Sequence, residues 1–242
     1  EPDRRYHVIL VDEGQHFAPT WMQIVKEFLM PGGQLFICDD PSQSVYRYYS
    51  WKQKGIEVRG RTRWLRTPYR NTRQVFAAAY ALIRHNELAK ALLTEEEGHI
   101  GPDFDSSTLR DGPRPEAHRF LDWVSEQAFL ATEVKALIET HGVLPAEIGV
   151  FHEEPYVRKR CRAILPHGVQ VHTMHRQTGL EYRAVFVPKA QDQFERSAGV
   201  GWTEYVARQQ LKSYMAMTRS RKWLYVLYED AWPKILEPMR PH

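Results

Sequence analysis

The sequence predicts an α/β protein built around parallel strands. Short apolar runs of strand length, at 6–11 and 35–38, end in acidic residues. Amphipathic stretches of helical length separate such runs along the chain. The 242 residues are 43% hydrophobic and 26% charged, which is enough apolar material for one large core or two modest ones. We therefore expect a globular chain, with two lobes as one way of burying that material.

The first elements form a predicted strand, helix and strand. The run 6–11 is almost continuously apolar, which is typical of a strand buried on both faces of a parallel sheet. Pro19 suits a first helical position, and apolar residues at helical spacing follow it until Pro-Gly-Gly at 31–33 breaks the pattern. The run 35–38 is the next buried strand. Acids at the ends of both strands place polar groups where α/β sheets bind their ligands.

Further along, a third strand is predicted at 62–66. Asn71 and Gln74 resemble a capping pair that opens a helix reaching Ile83. Residues 98–115 are rich in Gly, Pro, Asp and Ser and predict a long surface connection.

After this connection the strand and helix alternation resumes. Strands are predicted at 148–152, 169–172, 184–187 and 223–228, and helices at 123–141, 155–165 and 205–217.

Charge and cysteine content narrow the class of protein. The net charge of +3 is too mild to establish a polyanionic partner. Two basic runs, 59–73 and 158–162, could each face phosphates or form a solvated surface. Cys38 and Cys161 have no spacing typical of a disulfide framework or zinc site, which fits a reducing cytoplasm. No apolar run approaches membrane-spanning length, so we expect a soluble protein with no membrane partner.

The strand end at 12–13 carries the first chemical signal. Asp12 and Glu13 are adjacent carboxylates that could hold magnesium and activate a water molecule together. Alone, the pair is a weak signal, because acids also favour helix N-termini through the helix dipole.

The second strand end adds Asp39, Asp40 and Gln43, whose amide can donate to a phosphate oxygen and accept from water. Aromatic residues crowd the following positions: Tyr46, Tyr48, Tyr49 and Trp51. Such crowding fits either a surface on which nucleobases stack or a buried aromatic cluster.

Three later stretches, 65–71, 171–182 and 214–221, complete an ordered set of five. Together they resemble the motifs of superfamily 1 DNA helicases of the UvrD/Rep type. The two acidic strand ends look like motifs II and III, and the later stretches look like motifs IV, V and VI.

The resemblance implies a role for each matching residue. Asp12 would hold Mg²⁺, Glu13 would act as catalytic base, and Gln15 and Gln43 would contact ATP or its attacking water. Arg70 and Arg219 would clamp the terminal phosphate, as arginines do in phosphoryl transfer. The implied nucleotide contacts also include Tyr69 on the adenine, Glu181 on the ribose, and Gly179. The implied nucleic-acid contacts are Tyr46, Tyr48, Trp51, Thr173 and His175.

The resemblance further implies two RecA-like lobes. Residues 1–66 would be the later part of the first lobe, and 67–242 the second lobe, a parallel sheet flanked by helices without the large helical insertion of many family members. The implied function is ATP-dependent 3′ to 5′ movement on single-stranded DNA. The 242 residues contain no Gly-x-x-x-x-Gly-Lys-Ser/Thr loop, so the isolated chain is expected to be inactive, and the missing N-terminal part of the first lobe becomes an expected partner. The alternative is a non-hydrolysing helicase-like module that binds nucleic acid or protein.

Overall fold

The computed structural model describes residues 4–39, 49–57, 61, 63, 69–84, 86, 108–174, 180–194 and 202–239. The chain divides into two compact units. One comprises Glu1–Leu65 and Leu88–Pro102, and the other comprises Arg66–Glu87 and Asp103–His242.

The first unit is built on two parallel strands, β1 (Tyr6–Val11) and β2 (Leu29–Ile37), joined by helix α1 (Pro19–Glu27). Pro19 occupies the start of α1, as predicted. Val11, Met22 and Trp51 form a small buried core beneath the strands. The strand, helix and strand order is therefore the one that the apolar runs predict.

The strands of the first unit differ from the prediction in two ways. β2 begins at Leu29, so it includes the Pro-Gly-Gly at 31–33 that was predicted to separate the helix from the strand. The register of β2 against β1 shifts along the pair. β1 is covered on one face only, because Ile9 and Val11 point toward the core while Val8 and Leu10 are exposed. Burial on both faces was thus the wrong expectation for this strand within the described chain.

The second unit contains a parallel sheet of five strands in the order β3, β7, β6, β4, β5. Their bounds are Glu116–Phe120 for β3, Ile148–Phe151 for β4, Gln170–His172 for β5, Tyr182–Val187 for β6 and Ser220–Glu229 for β7. The central strands β4 and β6 are almost completely buried, as apolar runs in parallel sheets require.

The described part of the second unit contains four α-helices: α2 (Arg73–Ile83), α3 (Trp123–His141), α4 (Pro155–Ile164) and α5 (Trp202–Met217). Leu130 and Val134 of α3, with Val157 and Cys161 of α4, pack into the main core of the sheet. α2 and α5 contact each other. The α/β class with a parallel sheet and flanking helices is confirmed.

The sequence analysis missed one strand, and one of its predictions is wrong. The strand β3 was not predicted, because Glu116–Phe120 is short and not apolar; its pairing with β7 stabilises it instead. Asn71 and Gln74 do not form a capping pair, since Thr72 is the residue before α2 and makes no side-chain cap. Most of the predicted strand at 62–66 and most of the connection at 98–115 lie outside the described residues.

Candidate functional site

The acidic turn after β1 is tied to the end of β2 by two backbone hydrogen bonds. The Cys38 N–H donates to the Val11 carbonyl, and the Gly14 N–H donates to the Cys38 carbonyl, each over 2.8 Å. Because the carboxyl ends of parallel strands share one edge, Asp39 emerges beside Asp12 and Glu13 at this edge. The two acidic strand ends therefore lie at the same edge of the sheet.

The conformation of this turn directs its side chains. Glu13 adopts left-handed backbone angles, φ 54° and ψ 45°, which are uncommon for a residue with a side chain. Its backbone N–H donates to the Asp12 carboxylate over 3.0 Å, and its own carboxylate accepts from the buried Gln15 amide. Asp12 is exposed. The turn thus presents one exposed carboxylate and one that is oriented by a glutamine.

Gly14 sits where no side chain fits. A Cβ at this position would lie 2.5 Å from the Ile37 side chain and 3.0 Å from the Trp51 ring. The Gly14 carbonyl accepts from the Lys54 ammonium over 3.0 Å. Lys54 is only 1% exposed, and its ammonium lies 4.1 Å from the centre of the Trp51 ring.

Trp51, predicted to contact nucleic acid, is 8% exposed and belongs to the core of the first unit. Its burial favours the alternative of a buried aromatic cluster at this position. Lys54 was missed at the sequence level, because a lysine among polar neighbours gives no sign that it will be buried.

In the second unit, residues from three predicted motifs meet. The Arg70 guanidinium bonds the Glu181 carboxylate over 2.8 Å, and Arg221 lies 3.9 Å from the other oxygen of the same carboxylate. Arg70 and Glu181 are both exposed residues. A cluster of two guanidinium groups around one carboxylate keeps a net positive charge at the surface, which suits binding of a phosphate.

Asn71 connects the first of these stretches to the last. Its buried side-chain amide donates to the Thr218 carbonyl over 2.8 Å and to the Ser220 carbonyl over 2.6 Å. These bonds hold the carbonyls on both sides of Arg219. Asn71 was expected to be part of a cap and instead fixes the stretch that carries Arg219.

Arg219 itself is 5% exposed. Its carbonyl accepts from the Tyr182 N–H over 2.8 Å, at the start of β6. Burial raises the pKa of Tyr182 to about 12, and the nearby Arg219 charge opposes that rise.

The other predicted site residues divide into two groups. Tyr69 is 75% exposed beside Arg70, and Thr173 follows β5 with its hydroxyl buried. The remaining predicted site residues lie outside the described residues: Gln43, Tyr46, Tyr48, His175 and Gly179.

A second polar cluster lies at the carboxyl ends of β4 and β6. The chain leaves these neighbouring strands in opposite directions, toward β5 and β7, and such points form crevices in parallel sheets. Glu126 and His152 are both fully buried there. The Lys189 N–H donates to the Glu126 carboxylate over 2.6 Å, and the Lys189 carbonyl lies 3.4 Å from His152 Nε2.

Burial controls the protonation of both groups. It raises the pKa of Glu126 to about 7, opposed by the hydrogen bond from Lys189, and lowers the pKa of His152 to about 4. His152 Nδ1 accepts from the Glu154 N–H over 2.9 Å, so Nε2 carries the proton of the neutral ring. This cluster could not be predicted from the sequence, because its members are far apart in the chain.

A family model described as the UvrD/REP helicase N-terminal domain matches residues 1–57, which include the acidic turn. The predicted UvrD/Rep resemblance is confirmed over these residues. No curated protein sequence matches the chain significantly. Among solved structures, the C-terminal domain of a possible DNA helicase from Lactobacillus plantarum WCFS1 is similar, with a TM-score of 0.48 and 16% identity; the match covers 71% of this chain and 94% of that one.

The acidic turn offers one exposed carboxylate, that of Asp12. In the described part of the chain, no group of three or more His, Cys, Asp or Glu side chains is arranged as a metal site. Magnesium commonly binds one or two carboxylates together with substrate phosphates and water, and Asp12 could serve as one such carboxylate.

Among the described helices, none is both long and apolar enough to span a membrane.

Proposed function

We propose that this chain is part of an ATP-dependent superfamily 1 DNA helicase or translocase that moves 3′ to 5′ on single-stranded DNA. The observation that carries the proposal is the cluster of Arg70, Glu181 and Arg221 beside the Asn71-anchored stretch that holds Arg219. The UvrD/Rep match of residues 1–57 supports the same reading from the other end of the chain. A cytoplasmic location is part of the proposal.

In the proposed reaction, the acidic turn serves the nucleotide. Asp12 holds Mg²⁺, and Glu13 orients and deprotonates the water that attacks the terminal phosphate. The Gln15 amide on the Glu13 carboxylate keeps that carboxylate directed, and Gln43 contacts the terminal phosphate. When bound, Mg²⁺ neutralises charge that builds up on the phosphate oxygens.

The second unit supplies positive charge and recognition. Arg70 and Arg219 stabilise the transferring phosphoryl group, Tyr69 stacks on the adenine and Glu181 bonds the ribose. Since Arg219 is buried, its side chain must change position to reach a phosphate. Binding of ATP would also replace the ion pair between Arg70 and Glu181 with contacts from each residue to the nucleotide.

Two partners belong to the proposal. Single-stranded DNA is contacted through Thr173, His175, Tyr46 and Tyr48. The N-terminal part of the first lobe covers the exposed apolar face of the β1 and β2 sheet, which is formed by Tyr6, Val8, Leu10 and Phe36. Parallel sheets are normally covered on both faces, so this apolar face fits a layer from the same lobe.

The full-length protein provides the direct test. Replacing Arg70 with Ala should lower DNA-stimulated ATP turnover by a factor on the order of 10³, because one transition-state guanidinium is lost, with a much smaller change in nucleotide affinity. Arg119→Ala, an exposed arginine on β3, is the matched control. Equal turnover in both variants would refute the role of Arg70.

The isolated 242-residue chain tests the rest of the proposal. We expect no ATP turnover from it, because it contains no lysine and amide loop to hold the β and γ phosphates. DNA-stimulated hydrolysis by this chain would contradict that expectation. A full-length protein that binds single-stranded DNA but never hydrolyses ATP would instead support the alternative of a non-hydrolysing module.

A further inference from the structure

Helix α4 carries basic side chains on two different faces. Arg158 and Arg162 point toward the body of the unit, where they donate to backbone carbonyls: Arg158 to His152 and Glu153, and Arg162 to Val171 over 2.7 Å. These two arginines are structural, because they satisfy carbonyls at the ends of neighbouring strands.

The outer face of α4 is different. Tyr156, Lys159 and Arg160 recur at helical spacing on the side opposite the buried Val157 and Cys161, and all three are exposed. Within the described residues no acidic side chain pairs with Lys159 or Arg160. α4 contains no acidic residue at all, whereas on α3 the exposed Lys135 lies 3.7 Å from Glu139. The outer face of α4 is thus basic and uncompensated along the helix.

This face adjoins the strand end that carries Thr173. The Glu153 carboxylate, two residues before α4, accepts from the Met174 N–H over 3.1 Å. The helix therefore starts beside the segment that follows β5. Tyr156 lies in the first turn of α4 and is 63% exposed.

We propose that the outer face of α4 binds single-stranded nucleic acid: Lys159 and Arg160 contact phosphates, and Tyr156 stacks on a base. Uncompensated cations beside an exposed aromatic ring are the combination that single strands require, since phosphates need charge and unpaired bases need a flat apolar surface. The inference rests on the proposed function. It extends the proposed path of the nucleic-acid strand from Thr173 along α4.

The test measures binding of a fluorescent deoxythymidine oligonucleotide to the 242-residue chain by anisotropy at several salt concentrations. Lys159→Gln with Arg160→Gln should reduce the slope of log K against log salt by about 1.4, since each phosphate contact to a single strand contributes about 0.7. Tyr156→Ala should weaken binding roughly fivefold or more with no change in slope, because stacking releases no counterions. These opposite signatures separate charge from stacking.

Arg119→Gln with Lys135→Gln is the matched control, because it removes two exposed positive charges from β3 and α3. The proposal is overturned if this control and the α4 double variant lower the slope equally. It is also overturned, while the helicase proposal stands, if the α4 variants bind like wild type and Thr173→Val binds more weakly. A wild-type chain that does not bind the oligonucleotide even at about 50 mM salt overturns both proposals. Urea unfolding checks that each variant remains folded.

Discussion

The buried Glu126 and His152 should give the second unit opposing dependences of stability on pH. The folded chain keeps Glu126 protonated up to about pH 7, whereas the unfolded chain releases that proton near 4.5. The contribution of Glu126 is therefore fully present below pH 4.5 and is lost as the pH rises through 7. At about 1.4 kcal/mol for each pH unit between these values, the loss is about 3 kcal/mol.

His152 acts in the opposite direction. Its pKa falls from 6.5 in the unfolded chain to about 4 in the folded chain, so its contribution is fully present above pH 6.5 and is lost as the pH falls through 4. The size is again about 3 kcal/mol. Between pH 4.5 and 6.5 the two changes in stability with pH cancel, so the stability of the wild-type chain shows neither of them.

Substitution reveals each slope. The free energy of unfolding of Glu126→Gln, relative to that of wild type, should rise by about 3 kcal/mol from pH 4 to pH 8. The reason is that Gln can accept the Lys189 N–H without ionising. The free energy of unfolding of His152→Asn, relative to that of wild type, should rise by a similar amount as the pH falls from 7 to 4. Free energies of unfolding from urea titrations, with hydrogen exchange in β6 to isolate the second unit, supply the measurement. Glu139→Gln, an exposed carboxylate on α3, is the control and should give a flat difference.

A flat difference for Glu126→Gln between pH 5 and pH 8 would refute this reasoning. It would mean that Glu126 ionises at a similar pH in the folded and unfolded chains. A change of slope shared by Glu139→Gln would also refute it, because that result would point to the overall charge of the chain.

Three further substitutions test the packing around the candidate site. Gly14→Ala should destabilise the first unit by roughly 1–3 kcal/mol in urea unfolding, since the new Cβ meets Ile37 at 2.5 Å, whereas Gly142→Asn at an open helix end should have little effect. Asn71→Ala should cost roughly 2–3 kcal/mol by leaving two carbonyls without their donor, and a change under 0.5 kcal/mol would contradict the proposed anchoring. Lys54→Met removes the donor to the Gly14 carbonyl and should loosen this turn. The Gly14 amide, which donates to the Cys38 carbonyl, should then be less protected in hydrogen exchange, and the exposed Lys52→Met is the control.

Local sequence patterns predicted the parts of the fold that short-range physics determines. α3 and the buried strands β4 and β6 follow directly from apolar runs and helical spacing. The acids after β1 and β2 could be placed at one edge, because parallel strands leave no other arrangement. Pairings between distant residues were not predictable. Asn71 was assigned to a local cap, and only the fold shows that its amide reaches the carbonyls beside Arg219.

The exposed face of β1 shows why one apolar run can suggest more burial than the described chain contains. Val8 and Leu10 are as apolar as Ile9 and Val11, so the sequence predicted a strand covered on both sides. α1 covers only the face with Ile9 and Val11, and Leu10 remains 76% exposed opposite an exposed Phe36. Neighbouring apolar side chains on a parallel sheet cost free energy while they face water, and that cost disappears when a further layer covers them. The continuous apolar run of β1 therefore predicts too much burial within the described residues. The same run supports the proposal that a further layer of the first lobe covers the exposed face.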